Sequence, residues 1–143
     1  MNIKQISVFV ENRPGRLAEI TRFLGDNQVD IRALSIADTK DFGILRLIVD
    51  EPDKTVQLLK DNGYMVSITY VIAVAMTDEP GSLANVMEIL YKNAISVEYM
   101  YAFITRNKEN AYVIVRVGDN LKAVDILLKN GIKLAKPEDV YAL

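Results

Sequence analysis

The chain contains no histidine and no cysteine. Imidazole-dependent triads, thiolate nucleophiles, disulfides and Cys/His zinc sites are therefore excluded. The chemistry left rests on carboxylates, hydroxyls, guanidinium groups and backbone amides, and these gather in two short strings. One is ENRPGRLAEI, Glu11 to Ile20; the other is TDEPGSLANV, Thr77 to Val86. In each, Pro and Gly stand in a turn that leads into a helix. A helix opens with amide N–H groups that lack intrahelical partners and with the positive end of its dipole, and a glycine there lets a ligand approach the backbone. Gly15 and Gly81 thus each mark a place where a carboxylate or phosphate can be held. The first is flanked by Asn12, Arg13 and Arg16, an amide and two guanidinium groups suited to a carboxylate. The second carries Asp78, Glu79 and Ser82, and its acidic charges oppose an anion. In any single string, a Pro-Gly pair that only shapes a tight turn is the commoner case.

The recurrence changes that balance. Pro14 and Pro80, Gly15 and Gly81, and Leu17 and Leu83 share one offset of 66 residues, as do Ile20 and Val86, Leu24 and Leu90, and Asn27 and Asn93. After an insertion at Asn107 to Asn110 the offset becomes 68, matching Lys54, Val56, Leu59, Asn62 and Gly63 to Lys122, Val124, Leu127, Asn130 and Gly131. A duplication spanning nearly the whole chain follows. Within a unit, Ile6, Val8 and Val10 alternate as in a strand, and Leu17, Ile20 and Leu24 recur at helical spacing. Ile31 to Asp38 and Gly43 to Val49 form a hairpin joined at Thr39 to Phe42. Lys54 to Asn62 is a second helix stopped at Asn62-Gly63, followed by a strand from Met65. The order is βαββαβ, twice: an α+β protein of two ferredoxin-like units, residues 1–70 and 71–143, each an antiparallel sheet with helices on one face. No Gly/Ser/Pro linker separates them, so the units are expected to pack rigidly side by side.

Lys and Arg number 17 against 19 Asp and Glu, and each half carries one excess acidic charge. Nucleic-acid binding lacks its electrostatic driving force. The longest apolar run, Val71 to Met76, is too short to span a bilayer, and the N-terminus alternates like a strand instead of a signal peptide. No membrane partner and a cytoplasmic location are expected.

With these strings in a βαββαβ frame, both units resemble the ACT domain, a small regulatory module that typically binds amino acids. ENRPGRLAEI is especially similar to the serine-sensing end of phosphoglycerate dehydrogenase, although Val10 stands where that pattern has a histidine. TDEPGSLANV is similar to the ACT turns of aspartate kinases. The resemblance implies ligands held between paired units, by the first turn of one and the second strand of the other. One site then combines Asn12, Arg13, Gly15, Arg16 and Leu17 with Ser96 and Val97. The other combines Asp78, Gly81, Ser82 and Leu83 with Asp30 and Ile31. It further implies a non-catalytic sensor without cofactor or metal, modulating a separately encoded enzyme.

Tyr99, Tyr101 and Phe103 alternate onto the face opposite Met100, which matches the helix-facing Leu34. They are expected, with Phe9, Ile44 and Ile48, on an uncovered sheet face that supplies a homodimer contact. Two rival readings stand: a small enzyme using Asp30 and Asp78 as a carboxylate pair, and a structural dimer with vestigial pockets.

Overall fold

The computed structural model describes residues 1–38, 41–103 and 110–142. Of the expected hairpin joint at Thr39 to Phe42, residues 39–40 lie outside the described residues, as do residues 107–109 of the expected insertion at Asn107 to Asn110. Two compact units form: Lys4–Thr69, and Tyr70–Leu143 together with Met1–Ile3.

The first unit is built from β1 (Ile3–Glu11), α1 (Arg16–Asp26), β2 (Ile31–Asp38), β3 (Phe42–Val49), α2 (Pro52–Asp61) and the opening residues of β4 (Met65–Thr77). Its strands lie in the order β2-β3-β1-β4, the ferredoxin-like arrangement. The antiparallel registers run Ile6 to Leu47 and Val8 to Leu45 for β1 and β3, and Leu34 to Leu47 for β2 and β3. Alternation then sends Ile6, Val8, Val10, Leu45, Leu47 and Val49 to one face. There they are buried with Ile20 and Leu24 of α1 and Val56 and Leu59 of α2.

The second unit repeats this with the rest of β4, α3 (Ser82–Lys92), β5 (Val97–Ala102), β6 (Asn110–Val117) and α4 (Asn120–Lys129). β6 lies between β4 and β5, and β7 (Lys133–Leu134) pairs with β4. Its core holds Ile72, Val74, Val86, Leu90, Val115, Val117, Ala123 and Leu127, most of them at the repeat offset from the first core. The last strand is cut to two residues. Pro137 then opens a short helix, α5 (Pro137–Tyr141), with Glu138 and Asp139 in its first turn. A doubled βαββαβ does not include this helix.

The matched asparagines have a physical role. Asn27, Asn62, Asn93 and Asn130 each end a helix, and each side-chain Nδ2 donates to the carbonyl four residues back, at 2.8, 2.9, 2.8 and 2.8 Å. The next residue in each case takes a left-handed φ: Gln28 at 60°, Gly63 at 84°, Ala94 at 56° and Gly131 at 75°. The amide after it returns to Leu24, Leu59, Leu90 or Leu127, closing the helix with the 6→1 bond of a Schellman turn.

The expectation of an open face needs correction. Tyr99, Tyr101 and Phe103 do lie opposite the helices, aligned with Arg116, Ile114 and Tyr112 of β6. Phe103 is nonetheless only 9% exposed and Ile114 is buried. The rings of Phe103 and Tyr112 pack edge to face with centres 5.8 Å apart, and Tyr112 shares a cleft with Val140 of α5. The C-terminal helix thus covers part of that face. Ile48 is likewise fully buried and belongs to no exposed patch. Leu34 and Met100 face the helices as expected, yet each is 43% exposed because it sits on a strand at the edge of its sheet.

Candidate functional site

The chain leaves β1 at Glu11 and enters α1 at Arg16 through a turn fixed by main-chain bonds. The Asn12 amide donates to Asp41 O at 3.0 Å, Arg13 to Glu11 O at 3.0 Å, and Glu19 to Gly15 O at 2.9 Å. Gly15 takes φ 89° and ψ −16°, and no side chain caps the helix. Only glycine adopts that φ without strain. A Cβ built there meets nothing within 4 Å, so the approach to the turn is open. Beside it lies a cleft of about 320 Å³. Asn12, Arg13, Gly15 and Leu17 line it as expected, joined by Val10, Glu11, Pro14, Ile36 and Gly43. Ile36 and Gly43 were not anticipated. They arrive through sheet register, in which Val10 opposes Gly43 and Ile36 opposes Leu45.

The two arginines part company. Arg13 Nε meets Glu11 Oε2 at 2.9 Å on the exposed rim of the turn. Arg16 turns to the other side of α1. Its guanidinium lies 5.8 Å from the ring centre of Tyr64 and bonds Glu19 at 3.0 Å, while its Nε is buried without a hydrogen-bond partner. Arg16 does not line the cleft. Burial raises the pKa of Tyr64 above its ordinary value; the Glu19 carboxylate adds to the rise and the Arg16 charge opposes it.

The second turn copies the backbone of the first. Gly81 takes φ 93° and ψ −15°, again without a side-chain cap on the helix. The side chains differ. Thr77 and Ser82 hydroxyl oxygens lie 3.0 Å apart and share a hydrogen bond. A cleft of about 240 Å³ opens toward the end of α4, between Thr77, Ser82, Asn85 and Gly131 to Lys133. Ser82 lines it, whereas Asp78, Gly81 and Leu83 do not. At the repeat offsets Ser82, Asn85 and Ile132 replace Arg16, Glu19 and Tyr64. The cluster that fills this side of the helix in the first unit is therefore missing from the second, and space takes its place.

The remaining expected residues lie at strand starts. Ser96 is exposed just ahead of β5, and Val97 pairs with Val117. The Asp30 amide donates to Asp50 Oδ1 at 3.1 Å, and the Asp30 carboxylate accepts from Arg32 at 2.8 Å. Ile31 pairs with Val49. Among the described residues, no group of three or more acidic side chains is placed to hold a metal ion, and no helix is long and apolar enough to cross a membrane.

Two ferredoxin-like units, duplicated within one chain down to the glycine at each first helix, define a tandem of small α+β domains. The chain belongs to the ACT domain pair family, whose sequence model matches residues 1–143. The crystal structure of protein BT0572 from Bacteroides thetaiotaomicron is 39% identical, with a TM-score of 0.93 over 100% of this chain and 98% of that one. The ligand-free regulatory subunit of aspartate kinase from Thermus thermophilus shares the fold at 13% identity, with a TM-score of 0.64 over 88% and 91% of the two chains. The corresponding subunit from Thermus flavus gives 11% identity and 0.60 over 90% and 92%. No curated protein matches the chain significantly.

Proposed function

We propose that the protein is an amino-acid sensor whose first turn holds the ligand carboxylate and which modulates a separately encoded enzyme. One observation carries this reading: the Gly15 helix start has no side-chain cap, faces open space and borders a cleft of about 320 Å³. Amides and dipole there are suited to a carboxylate. Asn12, which lines the cleft, carries an amide oxygen of the kind that accepts from an ammonium group. Of the two arginines, Arg13 lines the cleft and Arg16 does not, which favours Arg13 as the ligand contact. The second turn, with Asp78, Gly81, Ser82 and Leu83, has the weaker claim, because Asp78 and Glu79 repel a carboxylate.

A regulatory role has support in the fold shared with a regulatory subunit of aspartate kinase. The mechanism is differential affinity of the ligand for two packing states, since binding shifts an equilibrium in no other way. Half-exposed Tyr99 and Tyr101, whose rings stack at 6.5 Å, are the proposed homodimer contact. A carboxylate enzyme has less support, because the Asp30 carboxylate is already engaged by Arg32. Isothermal titration with the twenty amino acids tests the reading. Saturable binding of one ligand per chain, lost in Gly15→Val, is expected; silence across the panel rejects it.

A further inference from the structure

The exposed side chains Phe9 (44%), Phe42 (47%) and Met65 (73%) stand out on the first unit. Phe9 and Phe42 pack with ring centres 5.2 Å apart. Beside them, Ser7, Phe9, Ile44, Met65, Val66 and Ser67 line a groove of about 270 Å³. It lies on the sheet face away from α1 and α2, and Gly15 does not line it.

The duplication supplies an internal comparison. Phe9 opposes Ile44 in β1 and β3, and Ala75 opposes Tyr112 in β4 and β6. At the repeat offsets, Ile44 maps to Tyr112, and Met65, Val66 and Ser67 map to Lys133, Leu134 and Ala135. Those five second-unit residues line a cleft of about 220 Å³ whose remaining wall is Asp139 and Val140 of α5. Val140 is fully buried. Among the described residues, the same place on the same fold is thus walled by a helix in one unit and by none in the other. Where the helix sits, the floor residue is Ala75; where it is missing, Phe9 and Met65 enlarge the apolar surface.

We propose that the first-unit groove is a docking site for a short helix of a partner protein, one that presents a single aliphatic side chain, as α5 does with Val140 at the equivalent place in the second unit. Contiguous exposed apolar surface marks interaction sites, and laying an amphipathic helix into a groove is a common recognition mode. The α5 helix of a second copy does not fit the role, since its Val140 is already sealed in its own unit.

The probe is a peptide of sequence Lys136–Ala142, locked as a helix by a lactam outside the Val140 face, because so short a helix does not form unaided. It is titrated into the full chain while the methyl resonances of Ile44 and Met65 are followed. Saturable shifts are expected at both. Phe9→Glu, and independently Met65→Glu at the most exposed position of the patch, should reduce them at least tenfold, and a peptide with aspartate in place of the Val140 residue should give none. Three results overturn the proposal: no shifts up to the peptide's solubility, shifts confined to the second unit, or self-association abolished by Phe9→Glu, which would make a second copy the occupant. None of these bears on the amino-acid titration, so the two readings fail separately.

Discussion

At Gly15 the backbone conformation and the empty space above it act separately, and two substitutions tell them apart. Alanine meets no neighbour but must adopt φ 89°, at a cost of about 1 kcal/mol. Valine carries the same strain and also fills the approach to the turn. Gly15→Ala should therefore lower the urea midpoint while retaining measurable ligand binding, whereas Gly15→Val should lose binding. Tyr64 gives a second test at this scale. Its raised pKa means that the folded state favours the neutral phenol. The resulting stability is complete below the ordinary tyrosine pKa of about 10 and declines as pH climbs through the raised value. Denaturation midpoints followed from about pH 9 to 11.5 should fall in the parent and less so in Tyr64→Phe. Sequence spacing revealed the glycines and their asparagine and arginine neighbours. It did not reveal that Arg16 leaves the cleft for Tyr64, because that pairing joins α1 to a residue 48 positions on through three-dimensional packing alone.

Among the elements, the four helix ends invite a direct experiment. Two carry glycine in the left-handed position, and two carry Gln28 and Ala94 with φ near 60°. Ala94→Gly should relieve strain of about 1 kcal/mol, partly offset by chain entropy, and raise the urea midpoint. Ile20→Ala, at a position of α1 with no exposed surface, should cost about 2–5 kcal/mol. The strands and helices were legible because their apolar periods are clean and repeat at fixed offsets. The last strand was not. Alignment with Met65 to Tyr70 suggested a full strand where the protein has β7 and α5, although Pro137 at a helix start with Glu138 and Asp139 behind it is itself a start signal. In the second unit the open face was misjudged for the same reason: the covering helix had not been counted.

For the whole molecule, ligand linkage sets the measurable scale. A ligand that binds only the folded chain adds about 2.7 kcal/mol of stability at a hundredfold excess over its Kd, so the amino acid that titrates should also raise the thermal midpoint. Serine is not favoured over aliphatic amino acids by what lines the first cleft, where Val10, Leu17 and Ile36 supply apolar surface. The position of Leu17 has a practical use. It borders that cleft, is 42% exposed, and belongs to a chain with no tryptophan at all. Leu17→Trp would thus place a lone indole at the mouth, whose emission at long wavelength rises above a tyrosine-only background. Occupancy would then be read in a cuvette as a shift in ultraviolet fluorescence.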